Sequence, residues 1–291
     1  MDVVQTIAEV RRIRGEGKGS WGLVPTMGFL HAGHVSLVER ARAENEHVGV
    51  SIFVNPTQFA PTEDLAAYPR DLERDLTLLG EAGADLVWTP PAEEVYPPGF
   101  QTYITVEDVT RPLEGAARPT HFRGVATVVA KLFNVFQPDR AYFGQKDAQQ
   151  AVVIKQMAGD LDFSLEIIIC PIVREPDGLA LSSRNIYLTP EQRAAAPVLN
   201  RALRAARDAW QRGECDGERL RQIMRDVLAA EPLARPDYVS AANPITLEEL
   251  GDTSRGVLLS MAVRIGKARL IDNMLLNPMP PSQQSSSREH G

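Results

Sequence analysis

Hydrophobic positions along this chain follow two patterns, short apolar runs and longer stretches with an apolar residue every three or four positions. Val3, Ile7, Val10 and Ile13 stand at helical spacing among charges and predict a first helix over 1–15. Residues 21–24 read as a short buried strand, 26–28 as a turn and 35–43 as a helix. The β-branched run 47–54 stops sharply at Asn55-Pro56 and has the composition of a central parallel strand, buried on both faces. Helical spacing returns over 69–82, ends at Gly83 and gives way to a strand over 85–88. A helix over 124–136, a strand over 140–143, a helix over 147–158 and a strand over 165–170 continue the alternation. Strands and helices in strict turn specify an α/β fold with a doubly wound parallel sheet.

The pattern changes near Arg174. Glu175-Pro176-Asp177-Gly178 marks a turn, and 179–188 reads as a hairpin arm. The boundary is therefore set after 174, giving a sheet domain over 1–174 and a smaller C-terminal α+β domain over 175–276. Thr189-Pro190-Glu191 starts the smaller domain's helices, which run to about 212 and over 216–230, with short strands at 237–241 and 256–271. The tail over 277–291 lacks apolar anchors and reads as disordered. Two domains suit a chain of 291 residues.

Composition narrows the function. At 44% hydrophobic and 24% charged, the chain has the make-up of a folded globular protein. A net charge of -7 argues against general binding to nucleic acid or to a membrane surface, so any anionic ligand needs a local cluster of cations. Cys170 and Cys215 imply no disulfide framework and suit a reducing cytoplasm. The start lacks the uninterrupted apolar core of a signal peptide, and no apolar run is long enough to span a bilayer.

In an open parallel sheet ligands bind beyond the carboxyl ends of the strands, so the residues that follow each strand carry the candidate chemistry. After the first come Met27, Gly28, Phe29, Leu30, His31, Ala32, Gly33 and His34, with glycines at a strand-to-helix turn whose free N–H groups favour an anion. His31 and His34 suit phosphate oxygens, a helix-capping pair or half of a metal site; spacing alone leaves these open. After the second strand come Asn55, Thr57 and Gln58, neutral groups able to hold an anionic substrate without repelling it. Gly144-Gln145-Lys146-Asp147 follows the strand at 140–143, with Gln150 one helical turn past Lys146. Leu181-Ser182-Ser183-Arg184 places two hydroxyls and a guanidinium at the domain junction, a phosphate clamp or a plain polar loop. Asp71, Glu73 and Asp75 could help hold magnesium near phosphates or form a solvated helix face. No Walker-type loop, G-x-G-x-x-G or zinc-spaced Cys/His cluster is present.

Taken together, Pro25-Thr26-Met27-Gly28-x-Leu30-His31-x-Gly33-His34, Ser51-Ile52-Phe53-Val54-Asn55-Pro56-x-Gln58-Phe59, Tyr142-Phe143-Gly144-x-Lys146-Asp147-x-Gln149-Gln150 and Ser182-Ser183-Arg184-Asn185 resemble the pantothenate synthetase family. Tyr68-Pro69-Arg70, His121-Phe122-x-Gly124-Val125, Asp237-Tyr238-Val239 and Ala268-Arg269-Leu270-Ile271-Asp272-Asn273 extend the resemblance to nearly the whole chain before the tail. It implies a Rossmann-like nucleotidyltransferase fold whose small domain is a lid, and a cytoplasmic homodimer. The implied reaction condenses pantoate with β-alanine at the expense of ATP, with Mg2+, through a pantoyl adenylate.

The resemblance also implies roles for residues. Met27 to His34, Gly144, Gln145, Lys146, Asp147, Val173, Leu181, Ser182, Ser183 and Arg184 would line ATP. His34 would be the proton donor, with His31, Lys146, Ser182, Ser183 and Arg184 at the phosphates. Gln58, Gln150 and Asn55 would meet pantoate, and Gln58 also β-alanine. Two departures stand out: Gln145 where many members carry Glu, and Ser240-Ala241-Ala242-Asn243 in place of a more acidic stretch. Among rival readings, a nucleotidyltransferase acting on a phosphate ester needs more basic residues than Asn55, Gln58 and Gln150 provide. Intact His34, Lys146 and Arg184 speak against a non-catalytic nucleotide sensor, and a His-x-x-His metal hydrolase lacks a third ligand.

Overall fold

The computed structural model describes residues 1–59, 65 and 68–277, so the expected disorder of the tail lies almost wholly outside the described residues. The chain divides into two compact units. One comprises Met1–Pro176 and Ala180–Ile186; the other comprises Asp177–Leu179 and the chain from Tyr187 onward. This differs from a single cut after 174, because the chain enters the second unit at Asp177 and returns to the first for Ala180–Ile186. Leu181 to Arg184 therefore belong to the unit that carries the sheet.

Along the first unit the elements are β1 (Asp2–Val4), α1 (Ile7–Glu16), β2 (Trp21–Thr26), α2 (Ala32–Glu44), β3 (His47–Ile52), α3 (Leu72–Glu81) and β4 (Leu86–Trp88). They continue with α4 (Ala92–Val95), α5 (Glu114–Ala117), α6 (His121–Phe136), β5 (Arg140–Gly144), α7 (Ala148–Asp160) and β6 (Glu166–Cys170). The strands form one parallel sheet in the order β1-β4-β3-β2-β5-β6. From β2 the chain steps outward through β3 to β4, then crosses back to β5 on the other side of β2. The reversal leaves a crevice at the carboxyl ends of β2 and β5, where ligands bind in such sheets.

β2 and β3 carry apolar residues toward both faces because helices cover both. Leu23, Val24, Val48 and Val50 have no solvent exposure. Val24, Val48, Val50 and Val87 pack with Leu37, Val38 and Ala41 of α2 and Leu79 of α3. On α6 most positions are buried, and Phe136 meets Trp88 edge to face at 6.1 Å. Each such fully buried side chain contributes about 1.5–3 kcal/mol. α6 also runs against the turn after β3: a Cβ added at Gly124 would lie 2.3 Å from the Thr57 carbonyl oxygen and 2.6 Å from the Gln58 nitrogen.

Two sequence expectations need correction here. Val3 is not in the first helix but in β1, paired in register with Val87, and the helix begins at Ile7 behind a Thr6–Glu9 capping box. The expected hairpin arm over 179–188 is instead a single antiparallel bridge, Arg174 to Ala180, followed by a 3-10 turn at Ser183–Tyr187.

In the second unit, α8 (Pro190–Ala195), α9 (Val198–Gln211) and α10 (Gly217–Ala229) precede β7 (Ala234–Ala242), β8 (Val257–Ile265) and β9 (Ala268–Leu276). The three strands are antiparallel in sequence order, and the apolar stretch 256–271 is two strands joined by a tight turn. Leu199, Leu203 and Trp210 of α9 and Leu220, Met224 and Leu228 of α10 pack with Leu259, Met261 and Val263 of β8. Thr189 caps α8 by accepting the Gln192 N–H, as its place before Pro190 implied. No helix among the described residues is long and apolar enough to cross a membrane.

Candidate active site

A cavity of about 230 Å³ lies within the first unit, lined by residues that follow β2, β3, β5 and β6. Of the residues singled out in the sequence, it brings together Met27, His31, Gly33, His34, Asn55, Gln58, Gly144, Lys146, Asp147, Gln150, Val173, Leu181, Ser182, Ser183 and Arg184. Gly28, Phe29, Leu30, Ala32 and Gln145 are not part of the lining. For Phe29 and Leu30 the reason is visible, since both backbone N–H groups turn away to the buried carboxylate of Asp75.

After β2 the chain reverses through Gly28, φ +83°, and Phe29, φ +52°, and enters α2 at His31. The histidines that cap the helix also line the cavity. His31 Nδ1 accepts the Gly33 N–H at 3.1 Å, and His34 Nδ1 accepts the His31 N–H at 3.3 Å, an imidazole version of a capping box. With Nδ1 an acceptor in each ring, the proton of each neutral imidazole sits on Nε2. The rings lie against each other with centroids 4.1 Å apart.

Burial lowers the His31 pKa to about 4, with Lys146 adding to the shift. His34 falls to about 3 for the same reason, with His31 and then Lys146 contributing. At neutral pH both are uncharged N–H donors. Their folded values lie below the unfolded 6.5, so the unfolded chain binds more protons below that pH and stability falls as pH drops from 6.5 toward these values. In an NMR titration the Cε1 protons of His31 and His34 should hold their neutral shifts from about pH 8 to about pH 5.5. Midpoints above pH 6 for both would contradict this.

Asn55 after β3 is 1% exposed, and its amide is committed within the protein. Its oxygen accepts from the Thr57 N–H, the Thr57 hydroxyl and the Tyr96 hydroxyl, while its nitrogen donates to Gln58 Oε1 and the Gly124 carbonyl. Asn55 thus holds Gln58 in place while itself lining the cavity. The Gln58 Nε2 reaches Met27 Sδ at 2.9 Å, a weak acceptor that a substrate oxygen can displace.

Beyond β5, Lys146 Nζ stands 3.6 Å from Asp147 Oδ2. Burial would raise the Asp147 carboxyl, but nearby positive charge, Lys146 first and then Arg184, outweighs it and holds the group below the usual carboxylate range. Gln149 and Gln150 divide the work of their turn. Gln149 is buried, donating to the Val109 and Pro112 carbonyls and accepting the Glu114 N–H, while Gln150 lines the cavity. Leu181 is tied to Val173 by a backbone bond of 3.0 Å, and the Ser182 hydroxyl accepts the Arg184 N–H.

The three members of the acidic stretch have separate settings. Asp71 caps α3 by accepting the Arg74 N–H, Glu73 is exposed and Asp75 binds the two turn amides. Among the described residues no three His, Cys, Asp or Glu side chains group as metal ligands. Asp147 is the carboxylate that lines the cavity.

Sequence reading gave no role to Arg118 beside the cavity and used His121 only for resemblance. Arg118 Nη1 lies 3.2 Å from His121 Nε2, and both groups reach the Gln58 carbonyl, at 3.4 and 3.0 Å. Arg118 closes α5 and His121 opens α6, and their spacing of three was the available signal. The cavity therefore offers Lys146, Arg184 and two imidazole N–H groups to a polyanion, neutral amides to a small acid, and a second cationic corner beside Gln58.

The family model for pantoate-beta-alanine ligase matches residues 2–275. A pantothenate synthetase of Chloroflexus aggregans is 64% identical over 277 residues, covering 95% of this chain and all of the relative. The solved pantothenate synthetase of Thermus thermophilus superposes with a TM-score of 0.91 at 52% identity, covering 96% of this chain and 100% of that one. A Francisella tularensis pantoate-beta-alanine ligase, solved with beta-gamma ATP and β-alanine, gives 0.78 at 35% identity over 94% of this chain and 97% of its own. With its fold and nearly its whole length shared with these proteins, the chain belongs to the pantoate–β-alanine ligase family.

Proposed function

We propose that the enzyme joins pantoate to β-alanine at the expense of ATP, releasing AMP and diphosphate through an enzyme-bound pantoyl adenylate. One observation carries the reading: His31, His34, Lys146 and Arg184 line the same cavity as Gln58 and Gln150. The first four suit a triphosphate and the two amides suit a small hydroxy acid. In the first step a pantoate carboxylate oxygen attacks the α-phosphorus, and the bond to the bridging oxygen of diphosphate breaks. The Nε2–H groups of His31 and His34, with Lys146 and Arg184, stabilise the charge that develops on the leaving group. Because both imidazoles are neutral before ATP binds, His34 acts first as a hydrogen-bond donor, a refinement of the proton-donor role implied by resemblance.

In the second step the neutral amine of β-alanine attacks the acyl carbon and AMP leaves. Gln58 faces both acids, and the Arg118–His121 corner beside it takes the carboxylate of β-alanine. No enzyme nucleophile is needed, in keeping with the cysteines: Cys170 is buried with its thiol pKa pushed up by burial, and Cys215 lies in the other unit. Magnesium enters with ATP as substrate. The homodimer implied by resemblance is read by sedimentation. Exchange of pyrophosphate into ATP that requires pantoate and not β-alanine is the expected signature of the first step.

A further inference from the structure

Asp75 takes no part in the chemistry above, yet it is a carboxylate with 1% exposure set against the turn that delivers both histidines. We propose that Asp75, with Arg74 beside it, is a positioning clamp for adenylate formation, fixing the turn between β2 and α2 so that His31 and His34 face the triphosphate. The inference rests on the adenylation reading.

Each Asp75 oxygen takes one amide, Phe29 N–H on Oδ2 and Leu30 N–H on Oδ1, both at 2.7 Å. Arg74 completes the grip from the same turn of α3: its Nη1 donates to the Leu30 carbonyl at 3.0 Å, and its guanidinium lies 5.8 Å from the Phe29 ring centre. Both polar groups of the Leu30 backbone are thereby held, and the next residue is His31, whose own N–H binds His34.

The turn needs such a grip. Gly28 and Phe29 are consecutive left-handed residues, and only the first has a glycine's freedom to be so. A Cβ at Gly28 would sit 3.1 Å from Asp75 Oδ2 and 3.0 Å from Ile52 Cγ2, so the carboxylate packs directly on the reversal. Released, Phe29 would relax toward negative φ and carry His31 with it. Two adjacent N–H donors require two acceptors; an amide offers one, and turns a donor toward the other N–H.

Asp75→Asn should therefore lower kcat for pantoate-dependent pyrophosphate exchange about 10²-fold, the scale of misplacing reacting groups by about 1 Å. KM for pantoate should stay within about threefold, since Gln58 and Gln150 lie on other turns. Adding Phe29→Gly to Asp75→Asn should recover about tenfold of the lost kcat, because glycine adopts the left-handed turn without a tether. Exchange by Asp75→Asn close to that of the parent enzyme overturns the clamp, as does no recovery on adding Phe29→Gly. Should Asp75→Asn not fold, the exposed Arg74→Ala decides the matter: kcat down about threefold or more at constant KM supports the clamp, and unchanged kcat overturns it. Parent enzyme lacking pantoate-dependent exchange would sink the adenylation reading itself, an outcome distinct from these.

Discussion

Lys146→Ala and His34→Ala are each expected to slow adenylate formation by about 10²-fold or more, the scale for loss of a preorganised transition-state donor. Lys146 is held beside Asp147 with its side chain 18% exposed, so its charge acts in a partly desolvated setting where screening is weak. Lys146→Arg should restore little, because a planar fork on a longer arm does not replace a point charge. For His34 the pattern differs. The folded protein keeps its imidazole neutral, so the group contributes an N–H and not a charge. His34→Gln, which carries an amide N–H at comparable reach, should recover about tenfold over His34→Ala. Single-turnover formation of the adenylate under rapid quench reads both series. Near-normal rates in Lys146→Ala and His34→Ala would refute their roles.

Gly124→Ala is expected to cost about 1–3 kcal/mol of stability and to lower kcat/KM for pantoate by about tenfold to 10²-fold. Helix propensity alone points the other way, since alanine is favoured over glycine within a helix by about 1 kcal/mol. Close packing decides the sign. The new methyl would meet the backbone at Thr57 and Gln58, a carbonyl and an amide that cannot rotate aside as a long side chain can. The turn must move, and Gln58 moves with it. Gly159→Ala in α7, where nothing lies within 4 Å of the added Cβ, serves as the control and should not be destabilising. Thermal melting and pantoate saturation curves measure both changes; a Gly124→Ala enzyme with parental kcat/KM would show that Gln58 does not depend on that contact.

Much of the sheet was legible because parallel strands covered on both faces leave uninterrupted apolar runs, as at Val48 and Val50. β1 was not. It has three residues, Val3 is 46% exposed, and its position happens to continue the helical spacing of Ile7 and Val10. The turn over 180–186 escaped for another reason: Ser182 and Asn185 bond to nearby backbone, and such local bonds compete with the strand pairing that the apolar flanks suggest.

At the site, residues directly after strands were found because the fold dictates where ligands bind. Residues acting through a neighbour were harder to place. Asn55 reads as a ligand contact in the sequence, and only its bonds to Gln58, Thr57, Tyr96 and Gly124 add that it also supports Gln58. Asp75 sits four residues before Leu79, and these two are the buried positions of α3. A carboxylate on the apolar face of a helix was the signal, masked by the neighbouring Asp71 and Glu73, which make the three read as one acidic stretch.

The most direct measurement of the central claim is pyrophosphate exchange into ATP by purified enzyme with magnesium. Without β-alanine, exchange should appear on adding pantoate and be absent with ATP alone. Adding β-alanine should then consume the adenylate, suppress exchange, and yield AMP and pantothenate in equal amounts. Exchange that proceeds equally without pantoate, or AMP release that does not depend on it, would contradict a site built to activate pantoate between the His31–His34 pair and Gln58.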